Sequence, residues 1–162
     1  AAGRLGVLLP GMGAVATTFI AGVEAVRRGM SRPIGSLTQL AHIRLGKRTD
    51  NRNPLIHELV PLASLDQLVF GGWDPIPDNA YDSAVNAGVL QRHDHIEPLA
   101  DFLKGIRPMP AVFDKRYVKK LDGPNVKQGA SKRELREQLR EDIRRFKQEH
   151  ACERLVSAPC VV

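Results

Sequence analysis

A glycine-rich turn near the start of the chain constrains the possible fold more than any other feature. Residues 5–9 read Leu-Gly-Val-Leu-Leu and end at Pro10-Gly11, which is typical of a buried parallel strand. Residues 14–28 then carry apolar side chains at helical spacing, and Gly29 and Pro33 predict where this helix ends. The chain therefore begins with a predicted strand, a tight turn and a helix.

The turn itself reads Gly-Met-Gly-Ala-Val-Ala and fits the pattern G-x-G-x-x-A. Gly11 permits the tight turn, Gly13 lets a pyrophosphate approach the backbone, and the small Ala16 lets the helix pack closely on the strand. The helix N-terminus adds free N–H groups and the positive end of the helix dipole. The sequence therefore predicts a dinucleotide site at Gly11, Gly13, Ala14, Val15 and Ala16. The alternative is a strand–helix turn that binds nothing.

Strands and helices alternate along the rest of the chain, which predicts an α/β protein with a Rossmann-like parallel sheet flanked by helices. Residues 65–70 predict a second strand, and Asp78 is predicted to cap the helix that ends at Leu90. Weaker patterns predict a helix or a helix–strand segment at residues 36–45, a helix at residues 96–106 and strands at residues 111–113 and 154–157.

The clearest helix covers residues 131–150. Ser131 and Glu134 have the spacing of a capping box, in which each residue satisfies a free N–H group of the first turn. An apolar stripe with steps of four, four and three predicts the buried face of this helix as Leu135, Leu139, Ile143 and Phe146.

One expected part of the dinucleotide pattern is missing. An acidic residue about 20 positions past the glycines normally holds the adenosine ribose. Residues 31–34 read Ser-Arg-Pro-Ile and contain no carboxylate. We predict that Asp74 replaces it, because Asp74 follows the second predicted strand and open α/β sheets bind ligands at the carboxyl ends of their strands. Its distance in sequence from the glycines is greater than the pattern prescribes.

Several motifs beyond the glycine turn occur together and in a distinctive order. They are GSLTQ at residues 35–39, RLG at 44–46, VFGGWD at 69–74, DIRRFK at 142–147 and ERLV at 153–156. In these motifs, and from residue 4 to about 156, the sequence resembles the N-terminal part of the myo-inositol-1-phosphate synthase (inositol-3-phosphate synthase) family, particularly its bacterial branch. The combination of GSLTQ and FGGWD is far more specific than the glycines alone.

The resemblance implies that the cofactor is NAD and that Asp74 is the family's adenosine-binding aspartate. It also implies that Ala111 and Val112 pass the adenine side of the cofactor. Many members carry paired asparagines in the glycine turn, where this chain has Ala14 and Val15. Only backbone contacts are therefore implied at these two positions.

The resemblance has further implications for activity. In the family, bound NAD oxidises glucose 6-phosphate, the enolised intermediate closes by intramolecular aldol addition, and the same cofactor reduces the product. The lysines that assist lie in a later catalytic and tetramerisation domain. We therefore expect residues 1–162 to form a partial dinucleotide-binding domain, which is truncated, frameshifted or only a piece of a longer chain where the family pattern stops at Ser157. It is predicted to contain no catalytic residue, to lack synthase activity alone and not to form the family's homotetramer.

The chain is basic, with a formal net charge of +6, which suits an anionic partner. A basic nucleic-acid-binding module and an inert fragment are the two alternative readings. No nucleic-acid partner is predicted, because one Trp, two Tyr and five Phe are scattered without any recognised DNA- or RNA-reading motif. Two basic clusters could contact a phosphate or form solvated surface, and solvated surface is the favoured interpretation; they are Lys47, Arg48 and Arg52, and Lys115, Arg116, Lys119 and Lys120.

Neither a metal site nor a secretory signal is predicted. The pair His93 and His95 lacks an identified third ligand and is interpreted as a polar loop. Residues 5–23 are uncharged like a signal, but Pro10 and the turn glycines interrupt them. Cys152 and Cys160 do not suggest a disulfide framework, so we expect a cytoplasmic protein without a membrane partner.

Overall fold

A four-stranded, entirely parallel sheet lies at the centre of the computed structural model, which describes residues 3–114 and 116–159. The strand order is β3-β2-β1-β4. The strands are β1 (Arg4–Pro10), β2 (Leu68–Asp74), β3 (Met109–Pro110) and β4 (Cys152–Ser157). The predicted Rossmann-like α/β fold is therefore confirmed.

Six α-helices connect and flank these strands within the described residues. They are α1 (Ala14–Arg27), α2 (Leu37–Leu40), α3 (Ile56–Leu59), α4 (Ala80–Ala87), α5 (Ala100–Lys104) and α6 (Lys132–Glu149). Successive side chains of a strand point to opposite faces, so β1 contributes to two cores. Val7 and Leu9 pack with α1, α4 and α5, whereas Leu8 packs with Trp73 and with Phe146 of α6.

The register of the sheet brings two chain segments together at its carboxyl edge. Strand β1 pairs with β2 from Leu5↔Leu68 to Pro10↔Trp73, so the two strands end side by side. Because helices on one face connect β1, β2 and β3, and α6 on the other face leads to β4, the sheet changes winding direction between β1 and β4. Ligands of open α/β sheets bind at the carboxyl edge beside such a switch point.

An excursion of residues 28–67 separates α1 from β2 and contains no buried residue. It includes α2, α3 and a bridge between His42 and Leu55. The excursion is held at its C-terminal end by Arg27 of α1, which donates hydrogen bonds to the carbonyl oxygens of Leu65 and Leu68. This excursion explains why Asp74 stands so far from the glycines in sequence and yet ends the strand next to β1.

Several predicted element boundaries were wrong. Asn79, and not Asp78, caps α4, since its side-chain oxygen accepts the N–H of Asp82 at 3.0 Å. The same helix ends at Ala87, because Gly88 adopts a φ of +64° there. The helix expected at residues 96–106 is replaced by a π-helical turn (Arg92–Ile96), a 3₁₀ turn (Glu97–Leu99) and the short α5. The strand expected at residues 111–113 ends before them, at Pro110.

Helix α6 follows the prediction at its start but differs on its buried face. The Ser131 hydroxyl accepts the N–H of Glu134 at 3.2 Å, whereas the Glu134 carboxylate accepts the N–H of Ala130 and not that of Ser131. Asp142 is 2% exposed, but Ile143 is 37% exposed. Phe146 packs against Gly71, where an added Cβ would lie 2.4 Å from its ring. The helix therefore buries a carboxylate in place of the predicted isoleucine.

Residues 5–23, which imitate a signal, form most of β1, the glycine turn and the first part of α1. No helix among residues 3–114 and 116–159 is long and apolar enough to cross a membrane. Cys152 is a buried free thiol, whereas Lys115 and Cys160 lie outside the described residues.

Candidate functional site

The first glycine of the turn has the backbone conformation that the sequence predicts. Gly11 adopts a φ of +83°, in the left-handed region that favours glycine over other residues. Its N–H donates to the carbonyl oxygen of Trp73 at 2.8 Å. The turn thus begins directly against the end of β2, and the chain reverses into α1 within three residues.

The second glycine faces open space. Gly13 is the N-cap of α1 and is exposed, and a Cβ added to it would meet no atom within 4 Å. No side chain among the described residues caps α1, and its first turn contains no acidic residue. The first N–H groups of a helix have no partner within the helix, so those of Ala14 and Val15 are available to an anion.

The third small residue, Ala16, is fully buried between α1 and the sheet. Its role in the structure is packing, as the pattern predicts. Next to it, the Thr17 hydroxyl donates to the carbonyl oxygen of Gly13 at 2.9 Å, which fixes the backbone that enters the helix. The small side chains of the turn therefore leave the N-terminus of α1 close to the ends of β1 and β2.

Asp74 is the last residue of β2 and its carboxylate contacts the glycine turn. One oxygen accepts the N–H of Met12 at 2.7 Å, and the other accepts the N–H of Ile76 at 2.9 Å. Each carboxylate oxygen has more than one acceptor position, so neither hydrogen bond prevents a further one to a hydroxyl group. The side chain is half-buried and held in one orientation beside the N-terminus of α1.

Ala111 and Val112 follow β3, the edge strand beside β2. Pro110 pairs with Asp74, so Ala111 lies one residue beyond the level of the carboxylate. Ala111 is buried, and Val112 lines a cleft of about 630 Å³ between the end of β3 and the first turns of α6. A cleft of this size lies in the range of small-molecule sites.

Basic groups dominate the charged lining of this cleft. Among the residues that the structure describes, Arg116, Lys132 and Arg136 line it together with one acidic residue, Asp114. Hydrogen bonds from Arg116 lower the pKa of the Asp114 carboxyl to about 2. Asp114 therefore stays ionised and neutralises one of the three cations at neutral pH, which leaves the cleft with a positive balance.

Three residues at this edge have structural roles that the sequence analysis did not predict. Met12 contributes only its backbone N–H to Asp74, so its side chain gives no signal. Gly72 is required because an added Cβ would lie 2.0 Å from the carbonyl oxygen of Leu9, a contact that only the strand pairing creates. Asn125 donates from its side-chain amide to the carbonyl oxygen of Asp74 at 2.8 Å, across 51 positions of sequence.

The histidine pair and the first basic cluster of the sequence analysis lie in a turn and in the excursion. His93 and His95 lie in the π-helical turn, where His95 Nδ1 accepts the N–H of Gln91 at 3.2 Å. No group of three metal-ligating side chains occurs among residues 3–114 and 116–159. Lys47, Arg48 and Arg52 are exposed in the excursion.

Comparison with known proteins gives consistent results over nearly the whole chain. Residues 5–160 match an NAD-binding family model described as myo-inositol-1-phosphate synthase. The chain is 50% identical over 157 residues to inositol-3-phosphate synthase 1 of Bacteroides thetaiotaomicron, a match that covers 96% of the chain and 36% of that protein. A probable inositol 3-phosphate synthase isozyme 3 of Arabidopsis thaliana is 32% identical, over 94% of the chain and 32% of that protein.

A solved structure shares the same fold. The crystal structure of an inositol-3-phosphate synthase from Caenorhabditis elegans superimposes with a TM-score of 0.87 at 27% sequence identity. The match covers 99% of this chain and 35% of the nematode chain. The chain thus spans about a third of the length of the relatives that it matches.

Proposed function

The chain belongs to the myo-inositol-1-phosphate synthase family, as its motifs predict, and we propose that it binds NAD at the carboxyl edge of its sheet. The observation that carries this proposal is the uncapped N-terminus of α1 beside the fixed carboxylate of Asp74. The helix N-terminus provides a site for the pyrophosphate, and the neighbouring carboxylate provides an acceptor for the hydroxyl groups of the adenosine ribose.

The pyrophosphate of NAD would bind at the glycine turn. The open space at Gly13 permits a phosphate to reach the backbone, and the N–H groups of Ala14 and Val15 would donate to its oxygens. The methyl and isopropyl groups of these two residues offer no hydrogen bond, so the proposal assigns them backbone contacts only. The positive end of the α1 dipole would add to the attraction.

The adenosine of NAD would bind on the β2 and β3 side of the turn. The Asp74 carboxylate would accept hydrogen bonds from the ribose hydroxyls, while Ala111 and Val112 would provide the apolar wall that an adenine ring requires. A phosphate on the ribose would meet the Asp74 carboxylate, so NAD is expected to bind more tightly than NADP.

We further propose that residues 1–162 supply part of the cofactor domain of an inositol-3-phosphate synthase. The isomerisation of glucose 6-phosphate would then depend on the remaining two-thirds of a family-length protein, including its lysines and its tetramer contacts. No residue of this chain is assigned a catalytic role. With bound NAD alone, these residues would hold the cofactor but could not position a sugar phosphate for proton transfer.

Calorimetric titration of the purified chain with NAD and, separately, with duplex DNA tests the proposal. We expect saturable NAD binding and a higher melting temperature in the presence of NAD, because a ligand that binds only the folded state stabilises it. The DNA titration is repeated at two salt concentrations, since electrostatic binding to DNA weakens steeply as salt increases. Salt-sensitive DNA binding without any NAD binding would contradict the proposal.

A further inference from the structure

A short segment crosses the carboxyl ends of β2 and β3 and bonds to both. We call residues 123–127 the strap. The side-chain amide of Asn125 donates to the carbonyl oxygen of Asp74 at 2.8 Å, and its backbone N–H donates to that of Pro75 at 2.9 Å. On the other side, the Ala111 N–H donates to the carbonyl oxygen of Asn125, and the Lys127 N–H donates to that of Ala111, both at 2.9 Å.

The strap lies in close contact with the end of β2. A Cβ added to Gly123 would lie 2.1 Å from the carbonyl oxygen of Pro75, so only glycine allows this approach. The strap therefore follows the chain from Asp74 to Ile76 closely, and Asn125 is held where its amide reaches the Asp74 carbonyl. The side chain of Asn125 therefore bonds to the backbone of Asp74, the residue whose carboxylate faces the glycine turn.

A buried ion pair anchors the far end of the strap. Lys127 Nζ lies 2.9 Å from a carboxylate oxygen of Asp142 in α6, and the indole N–H of Trp73 donates to the same oxygen at 2.9 Å. The side chains of Lys127 and Asp142 are only 10% and 4% exposed. Because Trp73 directly precedes Asp74, both the strap and the end of β2 are tied to one point on α6.

We propose that Asn125 is a positioning residue, which sets the location of the Asp74 carboxylate and thereby the preference of the site for NAD over NADP. This inference rests on the proposed NAD binding. Asp74 is fixed at three atoms, through its two carboxylate oxygens and its carbonyl oxygen. Met12 and Ile76 bond to the carboxylate, whereas Asn125 bonds to the carbonyl oxygen from the strap, which the anchor at Lys127 keeps in place. Loss of this hydrogen bond lets the Asp74 carboxylate move from its position without removing its charge.

The test replaces Asn125 by alanine and compares NAD with NADP in calorimetric titrations of the full chain. Asn125→Ala is expected to weaken NAD binding about fivefold, the effect of one neutral hydrogen bond. The affinity for NADP should change by less than about twofold, because a displaced carboxylate repels the ribose phosphate less and offsets the loss. A purely structural role would weaken both ligands equally, and equal weakening would overturn the proposal.

A double-mutant comparison tests whether Asn125 influences NAD affinity through the Asp74 carboxylate. In an Asp74→Asn background, Asn125→Ala should alter NAD affinity by less than about twofold, since no charged carboxylate remains to be positioned. Asn86→Ala serves as the control, because the Asn86 amide of α4 also donates one hydrogen bond to an aspartate, but to the carboxylate of Asp78 instead of to Asp74. Full additivity of Asn125→Ala and Asp74→Asn would contradict the assigned role.

A measurement without ligand separates this inference from the proposed function. The Met12 N–H donates to the Asp74 carboxylate, so its hydrogen exchange reports on the position of that group. Asn125→Ala should accelerate exchange at Met12 about fivefold, and Asn86→Ala should not. Unchanged exchange at Met12 overturns the positioning role. Absence of NAD binding by the unaltered chain overturns the NAD proposal, whereas the exchange result still decides whether Asn125 holds Asp74.

Discussion

At the scale of single residues, the two glycines of the turn are required for different reasons. Gly11 adopts a φ of +83°, a conformation in which the side chain of another residue would be strained. Gly13 has an ordinary φ of −82° and open space around its Cβ position. The first glycine is therefore required for the backbone conformation of the turn, whereas the second leaves open the space through which a phosphate is proposed to approach.

Gly13→Val separates folding from binding. We expect the free energy of unfolding to fall by only about 1 kcal/mol, because valine is a poorer N-cap than glycine but a Cβ at this position meets no other atom. NAD affinity should fall at least about tenfold, since the branched side chain occupies the space through which a phosphate reaches the helix N-terminus. Urea denaturation and calorimetric titration measure the two quantities.

Gly22→Val is the matched control for Gly13→Val. Gly22 lies in the same helix, and a Cβ there also meets no atom within 4 Å, but it is two turns away from the proposed phosphate site. Its NAD affinity should match that of the unaltered chain. Unchanged NAD affinity in Gly13→Val would refute the placement of the pyrophosphate at the turn.

Gly11→Ala should lower the free energy of unfolding by about 1–2 kcal/mol, the cost of placing a side chain in the left-handed region. Gly22→Ala should instead raise it by up to about 1 kcal/mol, because alanine favours a helix interior more than glycine does. Urea denaturation monitored by the single tryptophan, Trp73, measures both. Equal effects of the two substitutions would show that the backbone conformation of Gly11 is not strained for alanine.

At the scale of elements, α6 and the sheet are joined by a mixed polar and aromatic contact. Phe146 lies over the glycines of β1 and β2, where an added Cβ at Gly6 or Gly71 would meet its ring. Beside it, Asp142 accepts the indole N–H of Trp73 and pairs with Lys127 and Arg145. One buried carboxylate thus accepts hydrogen bonds or ion pairs from β2, from the strap and from α6 itself.

Asp142→Ala should destabilise the chain by about 3–5 kcal/mol, because it leaves the ammonium of Lys127 buried without its partner. Glu141→Ala, one position earlier on the exposed side of α6, should cost less than about 1 kcal/mol, since its pair with Arg144 is exposed. Denaturant titration at pH 7 compares the two variants. A similar loss in both would mean that the buried pair does not hold α6 to the sheet.

At the scale of the whole molecule, surface ion pairs tie the helices of one face together. Arg28, the C-cap residue of α1, bonds to Asp101 of α5 at 2.9 Å, and Arg92 bonds to Glu97 at 2.8 Å. Hydrogen bonds from these arginines lower the pKa values of the Asp101 and Glu97 carboxyls below their ordinary range. The Asp114 carboxyl, beside Arg116, has a pKa of about 2 for the same reason.

These lowered pKa values predict a loss of stability in acid. A carboxyl with a lower pKa in the folded state contributes stability that is fully present above its ordinary pKa, near 4, and is lost as the pH falls through its folded-state pKa. We therefore expect the free energy of unfolding to decrease below about pH 4.5 and to continue decreasing towards pH 2. The effect should be small and should weaken in 0.5 M salt, since these groups are solvent-exposed.

Urea denaturation at a series of pH values measures this dependence. Asp101→Asn removes one of the carboxyls and should make the decrease shallower, whereas Asp66→Asn, at an exposed aspartate in the excursion, should leave its slope unchanged. A free energy of unfolding that increases between pH 4.5 and pH 2.5 would contradict the sign derived from the ion pairs.

The sequence predicted the parts of the molecule whose causes are local. Periodicity and glycine spacing identified the strand–turn–helix unit, and Ser131 identified the start of α6, because caps and turns depend on residues within a few positions. The cap of α4 was misplaced by one residue, at Asp78 instead of Asn79, since both side chains can accept the same kind of hydrogen bond. Local patterns also could not foresee the close approach of Gly72 to Leu9.

For the candidate site, the glycine turn and Asp74 were identified from the sequence alone and assigned to one site, but the hydrogen bond between them was not foreseen. Only strand pairing places Asp74 beside Met12, because the excursion of residues 28–67 lengthens the chain between them without separating β1 from β2. The tertiary structure also decided that Asp142 is buried and that Asn125 bonds to Asp74, since both depend on partners more than 50 positions away. The sequence shows which residue types follow one another, whereas the contacts between residues that are distant in sequence depend on how the strands and helices pack.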